Sequence, residues 1–229
     1  MTSVHEPEHL PRQLKVDGLS KRIGDFVLRA SFQIRANERA ALVGPSGSGK
    51  TTLLRLIAGL ENEDSGRILL DGTDVTQLPP GARSIGYVFQ DQALFPALSV
   101  LENVTFGLRV RRVPRRKREL EGMVWLERMG MASHASQSVM RLSGGERQRI
   151  AFARALIWKP RLILLDEPFS ALDREMRGVL HRELMELHQA WPVPMLLVSH
   201  DESDISAVAT VRLEIKDEQE GPLHVHRVT

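Results

Sequence analysis

The glycine-rich segment 44–51, Gly-Pro-Ser-Gly-Ser-Gly-Lys-Thr, constrains the fold of this chain more than any other stretch. It follows an apolar run at 39–43 that is typical of a buried parallel strand. It precedes residues 51–59, whose apolar spacing is helical and which end at a glycine. Its glycines permit a tight turn whose backbone N–H groups point inward, toward a bound anion. The N-terminal end of the helix dipole that follows also favours an anion. The segment therefore predicts a strand, a phosphate-binding loop and a helix.

The polar residues of this loop suit a nucleotide and its metal ion. Lys50 would place a positive charge on the β- and γ-phosphates, and Thr51 would offer a hydroxyl to Mg²⁺. We expect the phosphates to be held by the loop and the first helical turn, that is by Gly44, Pro45, Ser46, Gly47, Ser48, Gly49, Lys50, Thr51 and Thr52.

A pair of acidic residues follows the apolar run 162–165. Such a run predicts a buried strand, and ligands of open α/β sheets bind at the carboxyl ends of the strands. Asp166 would hold Mg²⁺, usually through water, and Glu167 is the candidate general base. An acid pair is also common at helix starts, but the loop at 44–51 favours the functional interpretation.

The segment Ser143-Gly144-Gly145 precedes a predicted helix at 146–156. A serine hydroxyl and free N–H groups at a helix start form a second anion site, or simply a good N-cap. The sequence leaves both readings open.

Residues 44–51, 142–156 and 162–168, taken together and in this order, resemble the ATPase subunit of an ATP-binding cassette (ABC) transporter. The resemblance runs from about Leu14 to about Val211. It implies an α/β fold: a P-loop NTPase core with a mostly parallel sheet, an N-terminal antiparallel β subdomain and an inserted α-helical subdomain. We expect a flexible tail at 1–12 and one ABC ATPase domain at 13–229. Its core would comprise 13–90 and 143–229, and its helical lobe 91–142.

The resemblance also implies roles for residues that the pattern alone leaves ambiguous. A lone glutamine or histidine at a strand end is more often structural. By resemblance, however, Gln90 touches Mg²⁺ and water, and His200 contacts the γ-phosphate. The implied catalytic set is Glu167, His200, Lys50 and Gln90, and the implied metal set is Thr51, Gln90 and Asp166.

The resemblance further implies that two cassettes pack head-to-tail. Ser143, Gly144 and Gly145 would close over the ATP held by the other subunit, and the segment 170–173, with Asp173, would cross the interface. An aromatic residue commonly stacks on adenine in this family, but Ile23 stands at that place here, with Arg22 and Phe26 as substitutes. The choice between ATP and GTP is therefore left open.

Other patterns predict the remaining elements. Alternating apolar residues at 14–34 indicate antiparallel strands, and an Asp-Gly turn inside 67–75 indicates a hairpin. Helices are predicted at 119–131 and 174–189, and buried strands at 161–165 and 195–199, which we expect to be the last clear core strand. Because only twenty residues follow Ala209 in this sequence, we expect no ligand sensing through the β-rich regulatory domain that many importer ATPases carry. His224 and His226 would share one face if this tail is a strand, without an evident third metal ligand.

Charge and composition bear on location and partners. No apolar run reaches the roughly 18–20 residues of a membrane span. The first twelve residues do not resemble a signal peptide. The sequence contains no cysteine, so it forms no disulfide. Seven basic residues lie within 109–118, so the rest of a chain with net charge +2 carries −5. This cluster is either a solvated loop or a contact for anionic lipid or for acidic loops of a membrane partner. No motif for nucleic acid accompanies it, and we expect no nucleic-acid partner.

The expected function is that of an ATP- and Mg²⁺-dependent subunit that dimerises and powers an ABC transporter. Segments 86–96 and 166–173 look closest to importers of molybdate, sulfate, thiamine or ferric iron. Expected partners are a second copy or a paralogous cassette, transmembrane permease subunits and a solute-binding protein, at the cytoplasmic face of the membrane. An exporter or lipid-handling ATPase, and a non-transport ABC ATPase, are the alternatives.

Overall fold

One mixed sheet organises the computed structural model, which describes residues 12–217 and 223–228. In chain order the strands are β1 (Gln13–Ile23), β2 (Phe26–Arg35), β3 (Arg39–Val43), β4 (Ser65–Leu70), β5 (Thr73–Asp74), β6 (Ile85–Val88), β7 (Leu162–Asp166), β8 (Met195–Val198), β9 (Val211–Asp217) and β10 (Leu223–Val228). The helices are α1 (Lys50–Ala58), α2 (Val100–Val110), α3 (Arg115–Arg128), α4 (Gly144–Leu156), α5 (Arg174–Ala190) and α6 (Glu202–Val208).

The sheet has a parallel part and an antiparallel part. Its strand order is β5-β4-β1-β2-β10-β9-β3-β8-β7-β6. All neighbours from β9 to β6 are parallel, whereas β5, β4, β1 and β2 pair antiparallel. Strand β10 joins the two parts, since it is parallel to β2 and antiparallel to β9. The predicted fold class is confirmed.

Both faces of the parallel part are covered, which explains the uninterrupted apolar runs in its strands. In β7, Leu162 and Leu164 belong to the core that contains α1, whereas Ile163 and Leu165 belong to the core that contains α4 and α5. All five residues of β7 are buried. The acid pair thus stands at the carboxyl end of a buried strand, with Asp166 itself buried and Glu167 partly exposed.

The elements predicted from strong local patterns are present. Strand β3 has the predicted bounds, and α1, α4, α5, β7 and β8 differ from prediction by at most two residues at an end. The predicted hairpin is formed by β4 and β5, whose two-residue turn has positive φ at Asp71 (52°) and Gly72 (76°). Asp-Gly suits such a turn because both residues tolerate this conformation.

The basic cluster at 109–118 is not the loop that one reading expected. It spans the end of α2, a short connection and the first turn of α3, with Pro114 as the N-cap. Arginine and lysine are good helix formers, and proline is well tolerated at a helix start, so the helix begins before the predicted residue 119. Helix α2 was not predicted, although Ser99 and Glu102 form a capping box that begins it. Within the described residues, no helix is both long and apolar enough to cross a bilayer.

The expectation that 195–199 is the last core strand is wrong. Strand β9 follows and pairs in parallel with β3, so it lies inside the sheet. Its alternation of apolar Val211, Leu213 and Ile215 with charged residues is a strand signal that the sequence does carry. The predicted tail at 1–12 lies almost wholly outside the described residues.

Candidate nucleotide site

The loop between β3 and α1 is built to approach an anion closely. Gly47 and Gly49 have φ of 79° and 86°, which favour glycine, and Gly49 is the N-cap of α1. Helix α1 has neither a side-chain cap nor an acidic residue in its first turn, whereas α2, α4, α5 and α6 each begin on a capping serine or aspartate. The first N–H groups of α1 are therefore left for a bound anion.

The side chains of this loop fit a nucleotide phosphate as well. The Lys50 ammonium donates to the carbonyls of Gly44 (2.9 Å) and Pro45 (2.7 Å), which leaves one of its three N–H donors for a ligand. Burial lowers the pKa of Lys50, while the carboxylates of Glu167 and Asp166 oppose that shift. The hydroxyl of Ser48 is buried and has no hydrogen-bond partner within the described chain, as expected where a ligand completes the site.

Asp166 is fixed from two sides at the end of β7. The Thr51 hydroxyl donates to Oδ1 and the Tyr87 hydroxyl donates to Oδ2, each at 3.0 Å. Burial raises the pKa of Asp166, and these two hydrogen bonds act in the opposite direction. Thr51 and Asp166 thus adjoin as a hydroxyl and carboxylate pair, which suits a Mg²⁺ ion that takes its other ligands from phosphates and water. Tyr87 was not predicted as part of the site.

Glu167 and His200 form a second pair at the neighbouring strand end. His200 Nδ1 lies 2.9 Å from Glu167 Oε2, and this contact raises the pKa of His200. The Glu167 side chain is 14% exposed and that of His200 is 77% exposed. Glu167 also has φ of 48°, an uncommon value for a residue with a side chain. Such backbone strain is typical of functional sites.

A cavity of about 300 Å³ brings eight of the predicted site residues together, although Asp166 and His200 do not line it. It is lined by Ile23, Ser46, Gly47, Gly49, Lys50, Thr51, Thr52, Gln90, Glu167 and Val198. Of the three residues considered for adenine, only Ile23 lines it. The segment 143–145 does not line it, so one chain does not bring its two anion-binding segments together.

Ser143 and Asp173 act as helix caps in this structure. Ser143 Oγ accepts from the Glu146 N–H (3.3 Å), and Glu146 accepts from the Ser143 N–H (2.7 Å) in a capping box. Asp173 accepts from the Met176 N–H at 2.8 Å and begins α5. A Cβ at Gly145 would lie 3.5 Å from the Ala171 carbonyl oxygen, so segments 143–145 and 170–173 are neighbours. Ser143 is nevertheless exposed, and its hydroxyl hydrogen remains available for a ligand.

Arg154 on α4 holds the loop that follows Gln90, and sequence reasoning missed it. Its guanidinium donates to the carbonyls of Gln92 (2.8 Å) and Ala93 (2.6 Å) and lies 5.3 Å from the centre of the Phe95 ring. Gln92 and Ala93 have φ of 60° and 43°, which are costly for residues with side chains. Arg154 therefore stabilises a strained loop and ties it to the helix that begins at Ser143.

Replacing Arg154 with methionine should release this loop and lower ATP turnover. Two charge-assisted hydrogen bonds disappear, at about 1.5–3 kcal/mol each, while the aliphatic volume is kept. We expect kcat to fall about tenfold or more, by the conversion of 1.4 kcal/mol per decade, with nucleotide affinity little changed because Arg154 does not line the cavity. Arg154→Lys, which keeps a donor, should recover part of kcat. Equal losses in both variants, matched by a fall in thermal stability, would indicate a merely structural role.

Comparison with known proteins settles the family. The sequence profile described as ABC transporter matches residues 27–170, more than half of the chain. The chain belongs to the ABC transporter family. Among curated relatives, the probable sulfate/thiosulfate import ATP-binding protein CysA of Chlorella vulgaris is 46% identical over 201 residues, covering 85% of this chain and 83% of that protein. The molybdate/tungstate import ATP-binding protein WtpC of Archaeoglobus fulgidus is 48% identical over 182 residues, covering 79% and 74%.

A third relative and two solved structures agree with this assignment. The spermidine/putrescine import ATP-binding protein PotA of Protochlamydia amoebophila is 45% identical over 83% of this cassette and 52% of its own length. The dimeric structure of MJ0796, a bacterial ABC transporter cassette, superposes with a TM-score of 0.82 at 27% identity, covering 93% of this chain and 97% of that one. Its post-hydrolysis dimer bound to ADP and Pi gives 0.81 at 26% identity, with the same coverage. This chain is thus an ABC-type ATPase, and its cassette binds ATP.

Proposed function

We propose that this cassette is the ATP-hydrolysing subunit of an ABC importer for a small oxyanion of the sulfate or molybdate kind. The observation that carries the ATPase part is the convergence of Lys50, Thr51, Gln90 and Glu167 on one cavity. The import part is supported by relatives named as import ATP-binding proteins, two of them for oxyanions.

The chain's own groups account for hydrolysis. The α1 N–H groups and Lys50 bind the phosphates and offset the charge that develops on the γ-phosphoryl oxygens. His200 engages one carboxylate oxygen of Glu167, and the other has no hydrogen-bond partner in the described part of the chain, so it can orient a water and accept its proton. Thr51, Asp166 and Gln90 would hold Mg²⁺, which when bound neutralises phosphate charge. His200 would hold the γ-phosphate when Glu167 turns to the water.

The functional unit in this proposal is a head-to-tail dimer. Ser143, Gly144 and Gly145 lie away from the cavity of their own chain, so a second copy, or a paralogous cassette, must bring them to the ATP. The segment 170–173 packs beside them through Ala171 and Leu172, and it would cross the same interface with Asp173. The MJ0796 structures are described as dimeric, which supports this arrangement. ATP binding would close the dimer and hydrolysis would release it.

Affinity purification from detergent-solubilised native membranes, followed by mass spectrometry, tests the transport role. We expect a multi-spanning permease to co-purify, together with a soluble binding protein whose affinity for sulfate and molybdate is measured by calorimetry. If the binding protein binds a polyamine, thiamine or ferric iron instead, that ligand and not an oxyanion is the transported substrate. Recovery with ribosomal or DNA-bound partners alone would contradict transport and leave the ATPase chemistry intact.

A further inference from the structure

A strongly basic surface on the helical lobe, which we call the basic patch, takes no part in the nucleotide site. It comprises the seven cationic residues at the junction of α2 and α3: Arg109, Arg111, Arg112, Arg115, Arg116, Lys117 and Arg118. We propose that the basic patch binds the anionic headgroups of the lipid bilayer. This contact would be separate from ATP hydrolysis, and it goes beyond the proposed transport role.

Most charges of the basic patch are not neutralised by the protein. Within the described chain, only Arg115 and Lys117 have a carboxylate within 4.0 Å, namely Glu119 at 2.7 Å and Glu121 at 3.9 Å. The other five have none. Seven like charges in ten residues repel one another and destabilise the fold locally, a cost that a surface of opposite charge would relieve.

Two of these cations are held in place although their charges remain unpaired. The Arg111 guanidinium lies 3.6 Å from the centre of the Trp158 ring, and that of Arg109 lies 4.9 Å from the centre of Phe106. Arg109, from α2, also lines one open cavity of about 370 Å³ with Arg115 and Arg118, from α3. Glu102 and Glu119 line the same cavity, so these three cations lie beside one another and beside two carboxylates.

Aliphatic side chains are exposed on the same helix. Leu120 is 63% exposed and Val124 is 56% exposed. Arg116, Leu120 and Val124 are spaced by four residues and so form one stripe along α3, on the side of the helix away from Arg115 and Arg118. Val110, at the end of α2, is 62% exposed. Aliphatic groups among cations suit an interface where charges meet headgroups and short apolar chains enter the acyl boundary.

The exposed aliphatic groups favour a bilayer over a nucleic acid, which offers the basic patch charge but no apolar interior. An anionic bilayer offers diffuse charge together with an apolar interior, which matches Leu120 and Val124. An acidic protein segment would match the cations but leave these aliphatic groups exposed.

Co-sedimentation of the isolated protein with lipid vesicles tests this inference. Vesicles of 30% phosphatidylglycerol in phosphatidylcholine should bind the protein at 50 mM NaCl, and should release it at 500 mM NaCl because salt screens the charges. Vesicles of phosphatidylcholine alone should not bind it. Arg112→Glu with Arg116→Glu reverses two unpaired cations, a change of four charge units, and should weaken binding about 600-fold, from roughly fivefold per charge unit near the surface. Leu120→Ser with Val124→Ser should weaken binding about tenfold, while the dependence of binding on salt concentration stays unchanged.

A charge-matched control separates the basic patch from total charge. The control is Arg29→Glu with Arg182→Glu, on β2 and α5, which changes the net charge by the same amount. Both residues are exposed and have no carboxylate partner in the described chain. This variant should bind the vesicles nearly as well as wild type. All three double variants should retain ATPase activity, since none of these residues lines the nucleotide cavity. Absence of binding to anionic vesicles would overturn the proposal, as would equal loss in the control. Capture of the protein by a permease in neutral detergent, without vesicle binding, would assign the basic patch to a protein partner instead.

Discussion

Glu167→Gln should abolish ATP hydrolysis while ATP binding persists. The amide fills the same space but cannot accept a proton from water, and a positioned general base contributes about 10²–10⁴ to a rate. The α1 N–H groups and Lys50 are untouched, so the nucleotide should still bind. Since hydrolysis is what would open the dimer, this variant should accumulate as an ATP-bound dimer in size-exclusion chromatography, with turnover measured by phosphate release.

The fold itself should tolerate this change. The pair with His200 is partly solvent-exposed, and exposed ion pairs contribute about 0–1 kcal/mol. Loss of the carboxylate removes what raises the pKa of His200, so that pKa should fall in the variant. Glu127→Gln, at an exposed position on α3, is the matched control and should behave as wild type. Ordinary turnover in Glu167→Gln would refute the assignment of Glu167 as the base.

Ser143→Arg should leave ATP binding intact and eliminate turnover that depends on the dimer. Ser143 does not line the cavity of its own chain, so the affinity measured with a fluorescent nucleotide should not change. A bulky side chain at this exposed N-cap would block the approach of the second copy's ATP. Loss of the cap costs about 1 kcal/mol in its own right. Ser99→Arg controls for that loss, because Ser99 forms an equivalent capping box with Glu102.

Mixing two inactive variants provides a stricter test of the shared site. Lys50→Ala should lose phosphate binding in its own chain while its Ser143 segment stays intact. In a head-to-tail dimer of the two variants, one site combines the intact Lys50 of one chain with the intact Ser143 of the other. The mixture should therefore regain turnover that neither variant has alone. Full activity of Ser143→Arg by itself would contradict the shared site.

Local sequence patterns were sufficient for the elements that carry the phosphate-binding loop and the acid pair. The run at 39–43, the glycines after it and the helical spacing that follows are each set by neighbouring residues, and β3 and α1 form where they were predicted. The same holds for β7 and for the start of α4, where Ser143 and Glu146 cap one another. Helix α2 and strand β9 also carry local signals, a capping box and a period-two alternation, so both elements were predictable from sequence.

The contacts that shape the site could not be predicted in this way. Thr51 meets Asp166 across 115 residues of chain, Tyr87 meets the same carboxylate across 79, and Arg154 reaches Gln92 across 62. No periodicity relates such residues. Thr51, Tyr87 and Asp166 meet because the order of the parallel strands places the ends of β6 and β7 side by side, near the loop after β3, and Arg154 reaches Gln92 because α4 packs against β6.

The sequence by itself therefore determined the chemistry: which residue types are available, on which elements, and a resemblance to ABC cassettes that comparison confirmed. The tertiary structure alone decided that Tyr87 completes the setting of Asp166 and that Arg154 holds the strained loop after Gln90. It also decided that Ser143 lies away from its own chain's cavity and that the basic patch begins a helix instead of forming a loop. The physical reason is that hydrogen-bonding and turn preferences act between neighbours in the chain, whereas burial and strand pairing act between residues that only the completed sheet brings together.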